Sequence, residues 1–368
     1  MIAENELHYR IALTLIPGVG DITAKKLIAY CGGVAPIFTQ KKAQLLSIPD
    51  VGPVLAKAIK EQDVLKRAEE EVNFISKNGI TPIFYLDSNY PKRLKDCEDG
   101  PVMLYTQGNI NFDNQRVLSI IGTRKNTDYG KKITEQVVEQ LAPLGCLIVS
   151  GLAYGIDTIS HREALKNNLP TLGVVAHGLD MVYPAQNRNM LEKMKANGGW
   201  CTDFVSGTIP DRMNFPRRNR IIAGLADATL VIEAAEKSGT LITADLAHGY
   251  NRDVFAIPGN IGQEFSTGCN KLIRENKAAL VTGAEDLVTM LGWQTDAKHA
   301  KNVQRSLFVE LNPDEQLLVD VLKANGLTPI DEIGFKSGLP PSKCSSLLFT
   351  LEFKGVVRAL PGKVFELV

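Results

Sequence analysis

The sequence lacks the patterns that mark metal centres, disulfide frameworks, membrane spans and secretion signals. Its six cysteines include no CxxC pair, and its histidines form no HExxH motif. Reduced thiols and no bound metal are therefore expected. The apolar stretch 221–232 is interrupted by Asp227 well short of a membrane span, and the acidic Glu4 and Glu6 are not typical of a signal peptide. These absences predict a cytoplasmic protein that is not bound to a membrane.

Net charge is also absent, because 41 lysine and arginine residues balance 41 aspartate and glutamate residues. Binding to a nucleic acid would therefore depend on a local basic patch rather than on attraction by the whole molecule. The length of 368 residues allows two or three domains with at least one sizeable core.

The common nucleotide-binding and catalytic motifs are missing as well. The chain contains no GxxxxGK[ST] loop, and the turn after the first strand of the α/β region reads IIGTRKNTDYG instead of GxGxxG. No cofactor is therefore expected. Asp157 and His161 stand four residues apart on one predicted helix face, and we expect them to satisfy each other or to cap the preceding loop. No nucleophile elbow accompanies them, so these motifs do not predict an enzyme.

Strands and helices alternate from residue 117 onward. The predicted strands are Val117–Ile121, Cys146–Ser150, Thr171–Ala176, Trp200–Asp203, Thr229–Glu233, Asp253–Ile257 and Ala279–Val281. The predicted helices are Gly130–Leu141, Thr158–Asn167, Asn187–Ala196, Arg218–Ala226, Leu241–Tyr250 (with Thr240 as its N-cap) and Asn270–Lys277. This alternation predicts an α/β fold with a doubly wound, mostly parallel Rossmann-like sheet. The domain is expected to span 81–292, with 81–108 as a bridging segment.

The residues before this domain, 1–80, predict a helical, helix-hairpin-helix-like domain. Two segments there, Ile16–Gly20 and Ile48–Gly52, each precede an amphipathic helix, as in a tandem helix-hairpin-helix. In the second segment Asp50 replaces the first glycine, and Pro53 removes a donor N–H. For these turns, contact with DNA and simple helix packing are two equally supported hypotheses.

The residues after the α/β domain predict a linker at 293–310 and a winged-helix domain at 311–368. The latter contains three predicted helices and a two-stranded wing that turns at Pro361 and Gly362. The third helix, 342–354, offers mainly Lys343 and Lys354 among apolar residues. For this helix, binding to a partner protein or packing is therefore at least as strong a hypothesis as DNA recognition.

Glycine-rich loops follow the predicted strands, at the edge where open α/β sheets bind ligands. The loops are 122–125, 150–155, 177–180, 237–240 and 258–260. The segment at 215–220 adds Arg217, Arg218 and Arg220 at a predicted helix start. Because a helix N-terminus prefers acidic residues, exposed arginines there indicate a bound polyanion. The structural alternative is a pairing of Arg220 with Asp227 or Glu233.

These segments resemble the DprA (Smf) family, the DNA-processing proteins of bacterial natural transformation. The resemblance depends on YPKRL at 90–94, IGTR at 121–124, SGLAYGID at 150–157, GLDMVYP at 178–184, FPRRNRIIAGLAD at 215–227, SGTLITADLA at 238–247 and VFAIPGN at 254–260. It implies a non-enzymatic protein that binds single-stranded DNA without sequence preference and protects it. It also implies a homodimer that loads the RecA recombinase onto incoming DNA.

The loops and the resemblance together predict the DNA-binding residues. They are Gly122, Thr123, Arg124, Lys125, Ser150, Gly151, Tyr154, Gly155, Asn187, Phe215, Arg217, Arg218, Asn219, Arg220, Lys237, Ser238, Gly239 and Thr240. Phe215 and Tyr154 are the candidate stacking faces for bases. Two positions depart from the family pattern, since Ala185 stands where lysine is frequent and Asp203 stands where glutamate is expected.

Two other functions stay open. Nucleotide phosphoribohydrolases with a Rossmann-like fold carry a PGGxGTxxE loop whose glutamate is an essential acid. Here the loop is 237–243, and Ile242 or Thr243 occupies the carboxylate position. A nucleoside-monophosphate phosphoribohydrolase is therefore the weaker hypothesis. The third is an inert dimeric interaction scaffold.

Overall fold

The computed structural model describes residues 4–293, 311–360 and 363–367. The chain divides after Trp293 into two compact units. The predicted linker at 293–310 lies outside the described residues except for Trp293, and so do Pro361 and Gly362 of the predicted wing. No helix within the described residues combines the length and the apolarity needed to cross a membrane.

A nine-stranded sheet organises the first unit. Its strands are β1 Thr81–Phe84, β2 Met103–Asn109, β3 Val117–Ile121, β4 Leu147–Ser150, β5 Thr171–Val174, β6 Gly198–Thr202, β7 Ala228–Val231, β8 Asp253–Ala256 and β9 Ala279–Leu280. Their order in the sheet is β1-β2-β6-β5-β4-β3-β7-β8-β9. The two pairings of β2 are antiparallel and the others are parallel. The predicted doubly wound, mostly parallel α/β fold is confirmed.

Helices cover both faces of this sheet. They are α7 Lys92–Lys95, α8 Asp128–Leu141, α9 Ile156–Lys166, α10 Arg188–Met194, α11 Asn214–Leu225, α12 Gly239–Gly249, α13 Thr267–Arg274 and α14 Ala284–Met290. The central strand β3 is buried throughout, and its alternate residues enter different cores. Val117 and Ile121 pack with α11 and α12, whereas Leu118 and Ile120 pack with α8 and α9.

The strand order places a topological switch point between β3 and β7. From β3 the chain continues through β4, β5 and β6 on one side, and β7 then pairs with the opposite side of β3. Connections on the two sides of such a point diverge and leave a crevice beyond the carboxyl ends of the strands. The fold therefore directs a ligand to the loops that follow β3 and β7.

Six helices precede the sheet in the same unit. They are α1 Glu4–Leu15, α2 Asp21–Cys31, α3 Val34–Thr39, α4 Lys42–Leu46, α5 Pro53–Lys60 and α6 Val64–Asn78. Their core is continuous with the sheet, because Met103 and Tyr105 of β2 are buried in it. The interpretation of 81–108 as a bridge is wrong, since it contains the paired strands β1 and β2. The four-residue strand β1 contains Pro82 and depends on partners distant in sequence, which local patterns do not reveal.

The two predicted helix-hairpin-helix turns adopt similar backbones. Gly18 has φ 82° and Asp50 has φ 65°. Aspartate tolerates this left-handed conformation, so the missing glycine does not change the second turn. The helix after the first turn docks on the sheet region, because the Asp21 carboxylate accepts a hydrogen bond from the Val102 N–H at 2.8 Å. Packing is therefore one role of this first segment.

The second unit contains three helices and a three-stranded antiparallel sheet. Its elements are α15 Pro313–Asn325, β10 Thr328–Pro329, α16 Ile330–Ser337, α17 Pro341–Phe353, β11 Val357–Leu360 and β12 Val364–Leu367, with sheet order β10-β12-β11. Leu318, Leu322, Ile333, Leu348 and Leu351 form its core. The predicted winged-helix topology is confirmed, with α17 in the position of the recognition helix and β10 as a strand that was not predicted.

Candidate nucleic-acid interface

A cavity of about 350 Å³ lies at the switch point, and we call it the crevice. The loops after β3, β4 and β7 and the helix α11 contribute to its walls. The lining residues are Ile121, Gly122, Thr123, Arg124, Lys125, Ala153, Asp157, Phe215, Arg218, Asn219, Ile222, Ser238, Gly239, Thr240 and Thr243. Most of these were predicted from the sequence as DNA-binding residues, so the fold brings separate predicted loops together.

Two glycines allow the loops around the crevice to approach each other. A Cβ atom on Gly122 would lie 2.4 Å from Cγ1 of Ile156, and one on Gly155 would lie 2.2 Å from the Thr123 carbonyl oxygen. Gly155 also has φ 78°, a conformation that larger residues rarely adopt. These contacts pack the loop after β3 against the start of α9.

The first turn of α12 presents backbone N–H groups at the crevice. The first N–H groups of a helix have no intrahelical acceptor, and Ser238 at the N-cap forms no side-chain cap. Ser238 Oγ is buried without a hydrogen-bond partner among the described residues. A Cβ atom on Gly239 would meet nothing within 4 Å, so this end of the helix is open to a ligand. An anion is the natural occupant of such a helix end.

The predicted boundary of α12 needs a correction. Thr240 was expected to be the N-cap and Leu241 the first helical residue, but the helix begins at Gly239 and Ser238 is the N-cap. Ser238 has the extended backbone, φ −134° and ψ 154°, that an N-cap requires. Thr240 therefore contributes its backbone N–H to the first turn.

Two of the predicted arginines are exposed. The Arg124 guanidinium lies 5.0 Å from the centroid of the Phe215 ring, and that of Arg217 lies 5.1 Å from the Phe204 ring. Among the described residues, no carboxylate forms an ion pair with Arg124, Arg217 or the exposed Lys125. Arg217 lines a different cavity, beside the N-terminal helices. Arg124 and Lys125 are thus exposed cations at the crevice that form no ion pair with a carboxylate of the described residues.

Arg218 was expected to be exposed at a helix start, and this is wrong. The helix α11 begins at Asn214, so Arg218 lies in its second turn and is 6% exposed. Its guanidinium donates to the Val174 carbonyl oxygen and to Asn219 Oδ1. Burial lowers the pKa of Arg218 to about 10, although Asp157 raises it. Arg218 forms a wall of the crevice and remains charged.

Arg220 was also expected to be exposed, and its side chain is only 11% exposed. It forms ion pairs with Asp21 at 2.8 Å and Asp203 at 2.7 Å. Burial lowers the pKa of Arg220, but these two carboxylates outweigh burial and raise it. The alternative pairing with Asp227 or Glu233 is wrong too, since Asp227 pairs with Arg93 and Glu233 accepts from Thr127. Arg220 therefore joins α11 to the N-terminal helix α2.

The remaining predicted residues lie around the crevice rather than in it. Ser150 is buried, and its Oγ donates to the Ile120 carbonyl oxygen at 2.6 Å. Asn187 is buried and donates to the Leu152 carbonyl oxygen at 2.9 Å, which holds the loop after β4. Gly151 is buried in the same loop, Tyr154 and Lys237 are exposed, and only Tyr154 lines an adjoining cavity. Ser150 and Asn187 are thus supports for the loop that follows β4.

Asp157 and His161 do not contact each other as one alternative predicted. His161 contacts Thr171 Oγ1 at 2.7 Å and the Gly151 carbonyl oxygen at 2.6 Å, while Asp157 accepts from the Ala153 N–H at 3.4 Å. Both side chains therefore hold the loop after β4, as the second alternative predicted. Burial raises the pKa of Asp157 to about 6, against the opposing effect of Arg218. Burial lowers the pKa of His161 to about 4.

Sequence reasoning missed several residues at the site. Asp157 and Thr243 line the crevice, although both lie in segments that carry the family resemblance. The adjoining cavity is lined by Arg124, Leu152, Ala153, Tyr154, Val175, Ala176, His177, Tyr183, Pro184, Phe215 and Arg218. His177 Nε2 is buried there without a hydrogen-bond partner among the described residues. The loop 177–180 was predicted to lie at this edge of the sheet, but His177 itself was not among the predicted DNA-binding residues.

Comparison with known families and structures identifies the family of the chain. The model of the DNA recombination-mediator protein A family matches residues 81–292, and that of the DprA winged helix domain matches 309–363. Protein Smf of Synechocystis sp. is 35% identical over 298 residues, which cover 79% of this chain and 74% of the relative.

Two solved structures are also similar. The X-ray structure of DNA processing protein A from Streptococcus pneumoniae has a TM-score of 0.67 and 32% identity, covering 77% of this chain and 97% of that one. DNA processing protein A from Helicobacter pylori, whose structure addresses its single-stranded DNA binding mode, has a TM-score of 0.53 and 29% identity, covering 58% and 95%. On the family-model match and these relatives, the chain belongs to the DNA recombination-mediator protein A (DprA/Smf) family.

Proposed function

We propose that this protein binds single-stranded DNA without sequence preference, with the phosphates lying in the crevice. The observation that carries the proposal is the meeting of an open helix N-terminus with unpaired cations. Gly239 leaves the first turn of α12 accessible, and Arg124 and Lys125 approach it from the loop after β3. Backbone N–H groups and guanidinium groups recognise phosphate oxygens regardless of the base.

Base stacking would be supplied at the edge of the crevice. Tyr154 is 44% exposed, and its hydroxyl donates to Gln186 at 2.7 Å, which orients the ring. The Phe215 ring instead lies against the guanidinium groups of Arg124 and Arg218. We therefore assign stacking to Tyr154 and the orientation of Arg124 to Phe215.

The family membership extends this proposal to the protein's partners. We infer that the protein acts in the cytoplasm as a homodimer, protects incoming single strands in natural transformation and loads RecA onto them. It would do so as a binding protein without catalysis of its own. A single-strand loading assay with RecA, with and without the protein, tests this part independently of DNA affinity.

One observation favours an enzyme as the second candidate. Asp157 lines the crevice, and its pKa of about 6 would suit a general acid. In contrast, the loop 237–243 contributes no carboxylate at the position that phosphoribohydrolases use. Incubation with nucleoside monophosphates separates the two functions, because release of free base with turnover would overturn the binding-protein proposal.

The direct test of the proposal is a fluorescence anisotropy titration with labelled oligonucleotides. We expect submicromolar affinity for single strands of any mixed sequence and clearly weaker binding to a blunt duplex of the same length. Equal binding to the duplex, or a tenfold preference for one base composition, would contradict phosphate-directed recognition of single strands.

A further inference from the structure

The winged-helix unit contains an aromatic groove that the proposed DNA-binding function does not use. It has a volume of about 460 Å³ and lies between α16, α17 and the wing strand β12. Its apolar walls come from Ile330, Phe335, Pro341, Phe349 and Phe365, with Cys344 at the base. Cys344 is fully buried, so the groove reaches the core of the unit.

Large aromatic side chains are exposed at this groove. Phe335 is 88% exposed and Phe349 is 63% exposed, and Phe353, one helical turn beyond Phe349, is 83% exposed. The rings of Phe349 and Phe353 contact each other, with centroids 5.3 Å apart. Exposure of three phenylalanines on a unit of this size is unfavourable in water, which indicates a surface that another molecule covers.

The recognition helix is not equipped to hold DNA phosphates. Lys343 pairs with Asp314 at 2.6 Å, and Lys354 pairs with Glu315 at 2.8 Å. The Glu315 carboxylate is almost fully buried, and hydrogen bonding to Lys354 lowers its pKa. Lys343 of α17 and Lys354 at its C-cap are therefore already paired with carboxylates of their own unit.

The polar rim of the groove favours a cationic partner. Asp331 and Glu352 line it, with a single lysine, Lys363, on the wing side. Both carboxylates are exposed, and one oxygen of Glu352 accepts from the Ala359 N–H at 3.2 Å, which fixes its position. A segment with basic side chains beside apolar ones would match this surface.

We propose that the groove binds an amphipathic segment of a partner protein, with aromatic or aliphatic side chains entering between Phe335 and Phe349. Lysine or arginine side chains of that segment pair with Asp331 and Glu352. This is helix-in-groove recognition, in which apolar anchors supply affinity and the charged rim sets the orientation. The groove thereby binds a protein while the crevice of the other unit binds DNA.

The experiment is selection of random 16-residue peptides displayed on phage against the full-length protein. We expect enrichment of sequences with large apolar residues three or four positions apart and with adjacent lysine or arginine. A synthetic peptide with the consensus sequence should bind at least tenfold more weakly to Phe349→Ala and to Phe335→Ala. Asp331→Lys should weaken the same peptide severalfold without removing an apolar contact.

The matched control is Leu327→Ala, because Leu327 lies in the same unit, is 61% exposed and does not line the groove. It should bind the peptide like the wild type. No enrichment, enrichment of acidic sequences, or equal binding by Phe349→Ala would overturn the proposal. It would also be overturned if Phe349→Ala lost single-strand affinity, which would make the groove a nucleic-acid site, or lost self-association, which would make it a dimer interface.

Discussion

The crevice and the recognition helix α17 both contain basic residues, but these residues differ in whether a carboxylate pairs with them. In the crevice, Arg124 and Lys125 form no ion pair with a carboxylate of the described residues. Lys343 of α17 and Lys354 at its C-cap are each paired with a carboxylate inside the unit. In the sequence, the basic residues of the crevice and those of the recognition helix look alike. Only the structure shows which of them form ion pairs and which are available to a ligand.

This difference separates the basic residues that we propose to bind DNA from those that stabilise the fold. Desolvated ion pairs fix the positions of helices, whereas an unpaired guanidinium beside an open helix N-terminus awaits an anion. Arg220 is one of the stabilising residues, although it lies only a few residues from the crevice wall. Substitution of Arg220 should therefore cause the largest change in stability among the variants considered below.

Arg220→Ala should destabilise the first unit by about 3 kcal/mol, because it leaves the buried Asp203 without its partner. Lys343→Ala removes a pair whose lysine is half exposed and should leave stability unchanged within error. Urea unfolding followed by circular dichroism measures both. If Arg220→Ala unfolds like the wild type but loses DNA affinity, Arg220 belongs with the binding residues and the comparison fails.

Arg124→Glu should reduce single-strand affinity by roughly 10- to 100-fold, because it replaces a charge-assisted contact to phosphate with a repulsion. Its exposure means that melting temperature should stay near that of the wild type. Lys343→Glu is the matched reversal on the recognition helix and should change affinity less than twofold. Anisotropy titrations of both proteins test this, and a larger loss for Lys343→Glu would assign DNA binding to the winged helix.

Gly239→Val should reduce affinity by about fivefold, since the new side chain obstructs approach to the backbone of α12 without changing charge. The control is Gly249→Val at the other end of the same helix, where an added Cβ also meets nothing within 4 Å. Binding should be normal for the control. Equal losses in the two variants would mean that Gly239 acts through helix stability rather than through access.

Single-strand affinity should increase by about three- to fivefold when the pH falls from 7.5 to 5.5, since Asp157 loses its negative charge beside the phosphates. Burial raises the pKa of Asp157 to about 6, whereas burial lowers the pKa of His161 to about 4, so that His161 stays neutral over this range. Asp157→Asn should bind equally at both pH values. A pH response that persists in this variant would come from another group.

The raised pKa of Asp157 also makes the free energy of unfolding depend on pH. The pKa of Asp157 is higher in the folded protein than its ordinary value, so the folded state binds the proton more tightly. Its contribution to the free energy of unfolding is therefore lost as pH rises to about 6 and is retained in acid.

The sequence predicted the sheet because its strands are short apolar runs with a local signature. The predicted bounds of β3 match the structure, and those of β4 through β9 differ by one or two residues at either end. It could not predict β1 and β2, whose pairing depends on packing against the N-terminal helices. Local pattern therefore identifies the parallel strands β3 to β9 better than β1 and β2, which form the antiparallel edge of the sheet.

The loops that form the site could be predicted from the sequence. Which of their charged side chains are exposed and unpaired could not. Glycines and arginines marked the crevice, since their chemistry is visible in the sequence. The partners of Arg220 are not, because Asp21 lies 199 positions away and Asp203 lies 17 positions away along the chain. Burial of Arg218 likewise follows from the actual start of α11 at Asn214, one turn earlier than its composition indicated.

The salt dependence of single-strand affinity tests the central claim most directly, because each phosphate neutralised contributes about −0.7 to the slope of log K against log salt. The measurement compares the wild type with Arg124→Ala and Lys343→Ala under identical conditions. A phosphate held in the crevice predicts a steep slope for the wild type, a slope shallower by about 0.7 for Arg124→Ala, and no change for Lys343→Ala. An unchanged slope for Arg124→Ala together with a shallower one for Lys343→Ala would contradict the account.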